Sequence, residues 1–115
     1  MNWYISKIVF RISVENTPHK PQFDEQLRLI AADSVEEALL KARAVGLREE
    51  DSCLNNNMNA VKWEFINVAE IIQLKNLEDG MELYSQIHET DEEKSYIHCV
   101  HQKAIFLRMH AMSLS

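Results

Sequence analysis

The sequence predicts an α+β fold, an antiparallel four-stranded sheet packed with two helices in the order ββαββα. Two observations lead to this fold class. Apolar residues alternate with polar ones in four segments, and they recur at helical spacing in two others. Both helical segments follow a Ser/Thr-x-x-Glu sequence, which is typical of helix starts. The length of 115 residues suits one domain, so we expect residues 1–115 to form a single α+β domain.

The first two predicted strands cover residues 3–15 and 23–32. One parity of the first strand is almost entirely apolar, which predicts a strand with one buried face. Its apolar members are Tyr4, Ile8, Phe10, Ile12 and Val14. Residues 16–21 contain both prolines of the chain and predict a turn. Because this connection is short, the two strands are expected to pair as an antiparallel hairpin.

The first helix is predicted to begin after Ser34, since Ser34 and Glu37 have the spacing of a capping box. Apolar residues then recur at helical spacing as far as Val45. Gly46 follows the last of them, at the position where helices often end in a left-handed glycine. The polar segment 47–59 is predicted to be a long surface loop.

The third and fourth strands are predicted at residues 61–71 and 81–88, joined as a hairpin by the turn sequence Asp79-Gly80. Both parities of the third strand are apolar around Ile66, which predicts a β-bulge near Asn67. In the fourth strand Met81, Leu83 and Ile87 share one parity.

The last helix is predicted to run from the capping box Thr90–Glu93 to about Met112. One apolar stripe consists of Ile97, Val100, Ala104, Leu107 and Ala111. Four further apolar residues lie off that stripe: Ile105, Phe106, Met109 and Met112. A helix that is apolar nearly all round must bury more than one face, and in a chain of this length another subunit is the expected cover. We therefore expect these four residues to form an interface, with Trp3 and Trp63 as a second patch.

Composition excludes several classes of function. The chain has only two glycines, so it carries no dinucleotide-binding loop, no Walker A loop and no nucleophile elbow. The two cysteines have no CxxC context and are expected to be reduced thiols in the cytoplasm. The start of the chain does not resemble a signal peptide, and no uncharged run is long enough to cross a membrane. A net charge of −6 argues against nucleic acid as a partner.

A polar stripe is the candidate ligand site. Asp24, Gln26 and Arg28 share one strand parity and are expected on the open sheet face beside Arg11, with Trp63 as an aromatic wall. The alternative is a solvated face crossed by ion pairs. No catalytic residues and no cofactor are predicted, because no acid-base or nucleophilic constellation appears.

A metal site is a further alternative. His98 and His101 are three residues apart in the last helix, a spacing that can share a metal ion. No recognised zinc pattern is completed around them, so no metal is predicted.

Several segments resemble a known family. They are residues 2–5, 21–30, 41–43 with Gly46, 65–68, 79–80 and 83–85. The sequence is similar over about residues 2–101 to a bacterial family catalogued as domain of unknown function 4288. The resemblance implies a small cytoplasmic bacterial protein and supplies no catalytic residues.

Together these observations favour a non-enzymatic, self-associating interaction module that also binds a protein partner. The alternative is a small-ligand-binding or enzymatic α+β domain that uses the polar stripe.

Overall fold

The computed structural model describes residues 1–114 and confirms the predicted fold class, with four antiparallel strands and two helices in the order ββαββα. The elements are β1 (Asn2–Val14), β2 (Gln22–Ala32), α1 (Val35–Arg48), β3 (Asp51–Leu54), β4 (Ala60–Leu74) and α2 (Glu93–Leu114). The chain divides into two compact units. The first, Met1–Met81, contains the sheet and α1, and the second begins at Glu82 and contains α2.

The sheet has the strand order β2-β1-β4-β3, with every neighbouring pair antiparallel. β1 is therefore central and pairs with β2 and β4 over nearly its whole length. The register of β4 shifts twice against β1, which leaves Ala69 and Ile66 as extra residues. The bulge predicted near Asn67 is confirmed, and it explains why both parities are apolar there.

The core lies between α1 and one face of the sheet, here called the covered face. Buried Tyr4, Ile8 and Phe10 of β1 pack there with Ala38 and Ala42 of α1. Ile30 and Ala32 of β2 complete the buried cluster, and Trp63, Phe65, Val68 and Ile71 of β4 pack against it. The sheet face that α1 does not cover is called the open face.

The capping box predicted for α1 is present. The Ser34 hydroxyl accepts a hydrogen bond from the Glu37 backbone N–H at 3.1 Å. The Glu37 carboxylate reaches back and accepts from the Asp33 N–H, also at 3.1 Å. These two bonds satisfy backbone donors that the first turn leaves without helical partners.

Replacing Ser34 with alanine is expected to lower the free energy of unfolding by about 1 kcal/mol, because one helix N–H loses its acceptor. Urea unfolding measures the change. Ser85→Ala is the matched control, since Ser85 is exposed and outside every helix and strand. An unchanged midpoint for Ser34→Ala would show that the cap contributes nothing to stability.

The prediction that Gly46 ends α1 is wrong. The helix continues to Arg48, and Gly46 is buried inside it. A Cβ at this position would overlap the Phe65 ring and lie 3.2 Å from the Ile8 Cγ2 atom. Gly46 therefore lets the helix backbone approach the sheet closely. In the sequence, a glycine with this packing role has the same pattern as a glycine that ends a helix.

The position predicted for the fourth strand is also wrong. Residues 81–88 form no strand, and Ile87 is 91 % exposed. The strand that completes the sheet is β3, which pairs with the start of β4 inside the segment predicted to be a loop. The Asn55 side-chain oxygen ties this hairpin by accepting from the N–H groups of Asn57 and Asn59. Gly80 does form the expected turn, with φ +82° and a Met81 N–H to Glu78 C=O bond, but the turn joins no strands.

α2 begins later than predicted. The Thr90 hydroxyl accepts from the Glu92 N–H at 3.0 Å, which is a local turn contact and not a capping box. The first backbone bond of the helix runs from the Tyr96 N–H to the Glu92 C=O. Every α2 side chain from Glu93 to Ser113 is exposed.

Candidate functional site

The predicted polar stripe forms a hydrogen-bonded chain along β2. The Gln26 amide donates to the Asp24 carboxylate at 2.7 Å, and the Arg28 guanidinium donates to the Gln26 side-chain oxygen at 2.8 and 3.0 Å. Arg28 also lies 3.8 Å from the carboxylate of Glu49, which follows α1. These side chains bond one another, and ligand binding by them stays a prediction.

The expectation that Arg11 lies beside this stripe is wrong. Asp24 pairs with Phe10 across the sheet, so Asp24, Gln26 and Arg28 lie on the covered face, near the end of α1. Arg11 belongs to the other parity of β1 and lies on the open face, 3.3 Å from the Glu64 carboxylate. Because side chains alternate between faces, no single surface presents all four residues.

The two tryptophans are also on opposite faces. Trp63 is opposite Ile12 and packs against the buried core on the covered face. It also lines a shallow cleft of about 340 Å³ with neighbours that include Asp51 and Lys62. Trp3 lies on the open face, so Trp3 and Trp63 do not form the single patch expected from the sequence.

The open face carries an apolar surface around Trp3, here called the sheet patch: Trp3, Leu27, Leu29 and Ile72. Ile5 lies at its centre, between Leu29 and Ile72, and these neighbours help to bury it. Trp3 is 45 % and Leu29 60 % exposed. A groove of about 330 Å³ adjoins the patch, lined by Trp3, Leu29, Leu74, Lys75, Asn76 and Leu77.

Sequence reasoning found Trp3 but missed the rest of the sheet patch. Leu27 and Leu29 have the parity opposite to the polar stripe, which the sequence placed on the open face. Apolar alternation alone does not tell which sheet face a helix covers. The register decides it, and the register is set by pairing between strands distant in sequence.

α2 carries the second candidate surface, here called the helix patch: Ile105, Phe106, Met109 and Met112. Phe106 is 69 % and Met109 67 % exposed. The Phe106 and His110 rings stack with centroids 6.3 Å apart, which holds the Phe106 ring beside the helix. Exposed apolar clusters of this kind mark interaction sites more often than single exposed residues do.

Clusters of metal ligands and membrane-spanning helices are both missing from the part of the chain that the structure describes. No three His, Cys, Asp or Glu side chains there lie close enough to share a metal ion, and this includes His98 and His101. His88 stacks on Tyr96 at 5.1 Å, beside an open depression that Glu89 and Glu93 also line. Within the described residues, neither helix is both long enough and apolar enough to span a bilayer.

The model of a family described as a domain of unknown function, DUF4288, matches residues 3–85. The chain belongs to this family. The resemblance expected from the sequence is therefore confirmed, and the match includes α1 and the sheet except for Asn2 but ends before α2. No curated protein and no solved structure gives a significant match.

Proposed function

We propose that this member of the DUF4288 family is a non-enzymatic interaction module that associates with a second copy of itself and binds a protein partner. The observation that carries the proposal is the exposure of α2, whose described side chains are all accessible although much of the helix is apolar. An exposed helix of this composition gains free energy when its apolar surface leaves water.

Charge favours a second copy on the two patches. The sheet patch contains no charged side chain. Of the cations beside it, Lys7 has the Glu25 carboxylate at 3.4 Å, and Lys75 lines the adjoining groove. The four residues of the helix patch are likewise uncharged. Identical neutral surfaces can meet around a twofold axis without bringing like charges together.

Light scattering at micromolar concentrations tests self-association directly. We expect the mass of a dimer for the natural sequence. Met109→Glu and Leu29→Glu place a carboxylate in the helix patch and the sheet patch, and whichever patch is buried between copies should lose affinity by about tenfold or more. Leu40→Glu is the matched control, because Leu40 is exposed on α1 outside both patches.

A strictly monomeric natural protein at these concentrations would end the proposal of self-association. A dimer that survives both Met109→Glu and Leu29→Glu would end the assignment of the interface to these patches, and so would a dimer that Leu40→Glu weakens equally. Circular dichroism of each variant establishes that the helices and strands are retained.

The proposal also places the protein in the bacterial cytoplasm, without nucleic acid as a partner. Cys53 and Cys99 are both free thiols and exposed, which suits a reducing compartment. Seven acidic residues and no Lys or Arg occupy positions 78–93, a charge distribution that opposes binding to a phosphate backbone.

A further inference from the structure

The side of α2 opposite the helix patch carries a second apolar stripe with the spacing of a coiled-coil seam. Its residues follow one another in alternating steps of three and four: Ile97, Val100, Ala104, Leu107 and Ala111. This is the a/d pattern of a heptad repeat. Ile97 is 47 % and Leu107 65 % exposed, so the seam faces water.

The positions on either side of the seam carry only basic, histidine or tyrosine residues. With Ile97 at an a position, the e positions are Lys94, His101 and Arg108. The g positions are Tyr96, Lys103 and His110. In the unit that begins at Glu82, no described carboxylate forms an ion pair with Lys94, Lys103 or Arg108.

These flanks oppose pairing of the seam with itself. In a parallel pair of copies, Lys103 of one helix would face Arg108 of the other, since g and e positions meet across a coiled coil. An antiparallel pair would bring e against e and g against g, which again opposes cation to cation. Like charges at these positions select against a partner.

We propose that the seam of α2 binds an amphipathic helix of another protein that carries Glu or Asp at its own e and g positions. The apolar seam requires an apolar stripe at helical spacing on the partner, and the two basic flanks require acidic residues beside it. The inference rests on the proposed function only in taking the chain as an interaction module. It assigns the seam to the protein partner and leaves the helix patch on the opposite side to the second copy.

The length of the seam indicates the kind of complex. It spans about two heptads, fewer than the three to four that sustain a recognisable coiled coil. Charge pairs must therefore contribute a large share of the affinity, and binding should weaken steeply as salt rises.

The probe is a fluorescent peptide of four heptads with Ile at a, Leu at d and Glu at e and g, added to the 115-residue protein. A second peptide has Lys in place of every Glu, and polyglutamate supplies acidic charge without an apolar stripe. Fluorescence anisotropy measures each affinity at low salt and at about 1 M salt, where the Debye length is about 3 Å. We expect the Glu peptide to bind at low salt at least about tenfold more tightly than either comparison probe.

Reversing the charges beside the seam should weaken binding of the Glu peptide and create binding of the Lys peptide. Lys103→Glu with Arg108→Glu should weaken the Glu peptide by about tenfold or more and allow the Lys peptide to bind. Lys20→Glu with Arg43→Glu changes the net charge equally at exposed positions outside α2 and should leave both affinities unchanged. Leu107→Asp, in the seam, should abolish binding of either peptide.

Three results would overturn the proposal: no binding of the Glu peptide, equal binding of polyglutamate, or equal binding of the Lys peptide to the natural protein. A dimer that dissociates on Leu107→Asp but not on Met109→Glu would also overturn it, because the second copy would then occupy the seam. A monomeric protein that still binds the Glu peptide would refute self-association alone, so the two failures are distinguishable.

Discussion

Replacing Gly46 with valine is expected to lower the free energy of unfolding by about 2–3 kcal/mol, at the upper end of the usual cost of overpacking a core. A Cβ at this position overlaps the Phe65 ring, and the Ile8 Cγ2 atom lies 3.2 Å away. The helix must therefore move away from the sheet, which opens the contacts of buried Ala38 and Ala42 on the same face. Thermal unfolding should shift down by about 10 °C or more.

The control is Ala44→Val, two residues earlier on the exposed side of α1, which should lower stability by no more than about 0.7 kcal/mol, the difference in helix propensity. A second-site variant tests the cause. Phe65→Ala removes the ring that the new side chain meets, so the loss in Gly46→Val with Phe65→Ala should be smaller than the sum of the single losses. Additive losses would show that Phe65 is not the obstacle.

The sequence was sufficient for the elements whose apolar period is regular. Alternation defined β1 and β2 to within a residue or two, and Ser34 with Glu37 located the start of α1. In each case the residues that set the structure are close together in sequence. Local periodicity and capping chemistry then determine the result without knowledge of the rest of the chain.

β3 could not be predicted because its strand conformation depends on pairing with β4 and not on its own residues. Asp51–Leu54 is short, mostly polar and exposed, and it becomes a strand because the start of β4 offers an unpaired edge. Residues 81–88 show the opposite case. They alternate well, but Leu83 and Ile87 are exposed, and no strand in the described part of the chain pairs with them. Whether such a segment forms a strand depends on the presence of a backbone pairing partner and not on its composition.

The face of the sheet on which the polar stripe lies depends on the register of β2 against β1, which the sequence does not show. The shared parity of Asp24, Gln26 and Arg28 was predictable, and their mutual hydrogen bonds follow from it. Their face was not, because a shift of one residue exchanges the two faces of a strand. With Asp24 opposite Phe10, the polar residues join the covered face and the leucines between them join the sheet patch.

The boundary of the family match separates two kinds of surface. Residues 3–85 contain the sheet, α1 and the sheet patch, whereas both apolar sides of α2 lie beyond the match. The sheet unit has its own buried core around Ile8 and Phe10. We therefore expect substitutions on α2 to change association far more than they change the unfolding of the sheet unit.

Replacing Phe10 with alanine is expected to lower the free energy of unfolding by about 3–5 kcal/mol. Phe10 is 1 % exposed on the central strand, and its ring meets the Phe65 ring edge-on with centroids 6.2 Å apart. Truncation removes the apolar surface that the ring buries and leaves a cavity between the sheet and α1. Because stabilities of whole domains are about 5–15 kcal/mol, this variant should be close to unfolding at room temperature.

Phe23→Ala is the matched control, since Phe23 lies on the neighbouring strand but is 56 % exposed on the open face, opposite Arg11. The same chemical change there should cost less than about 1 kcal/mol, because little of the ring leaves water on folding. Urea unfolding of both variants measures the difference. Equal losses at the two positions would mean that α1 does not cover the face that carries Phe10, and the assignment of the sheet patch to the open face would fail with it.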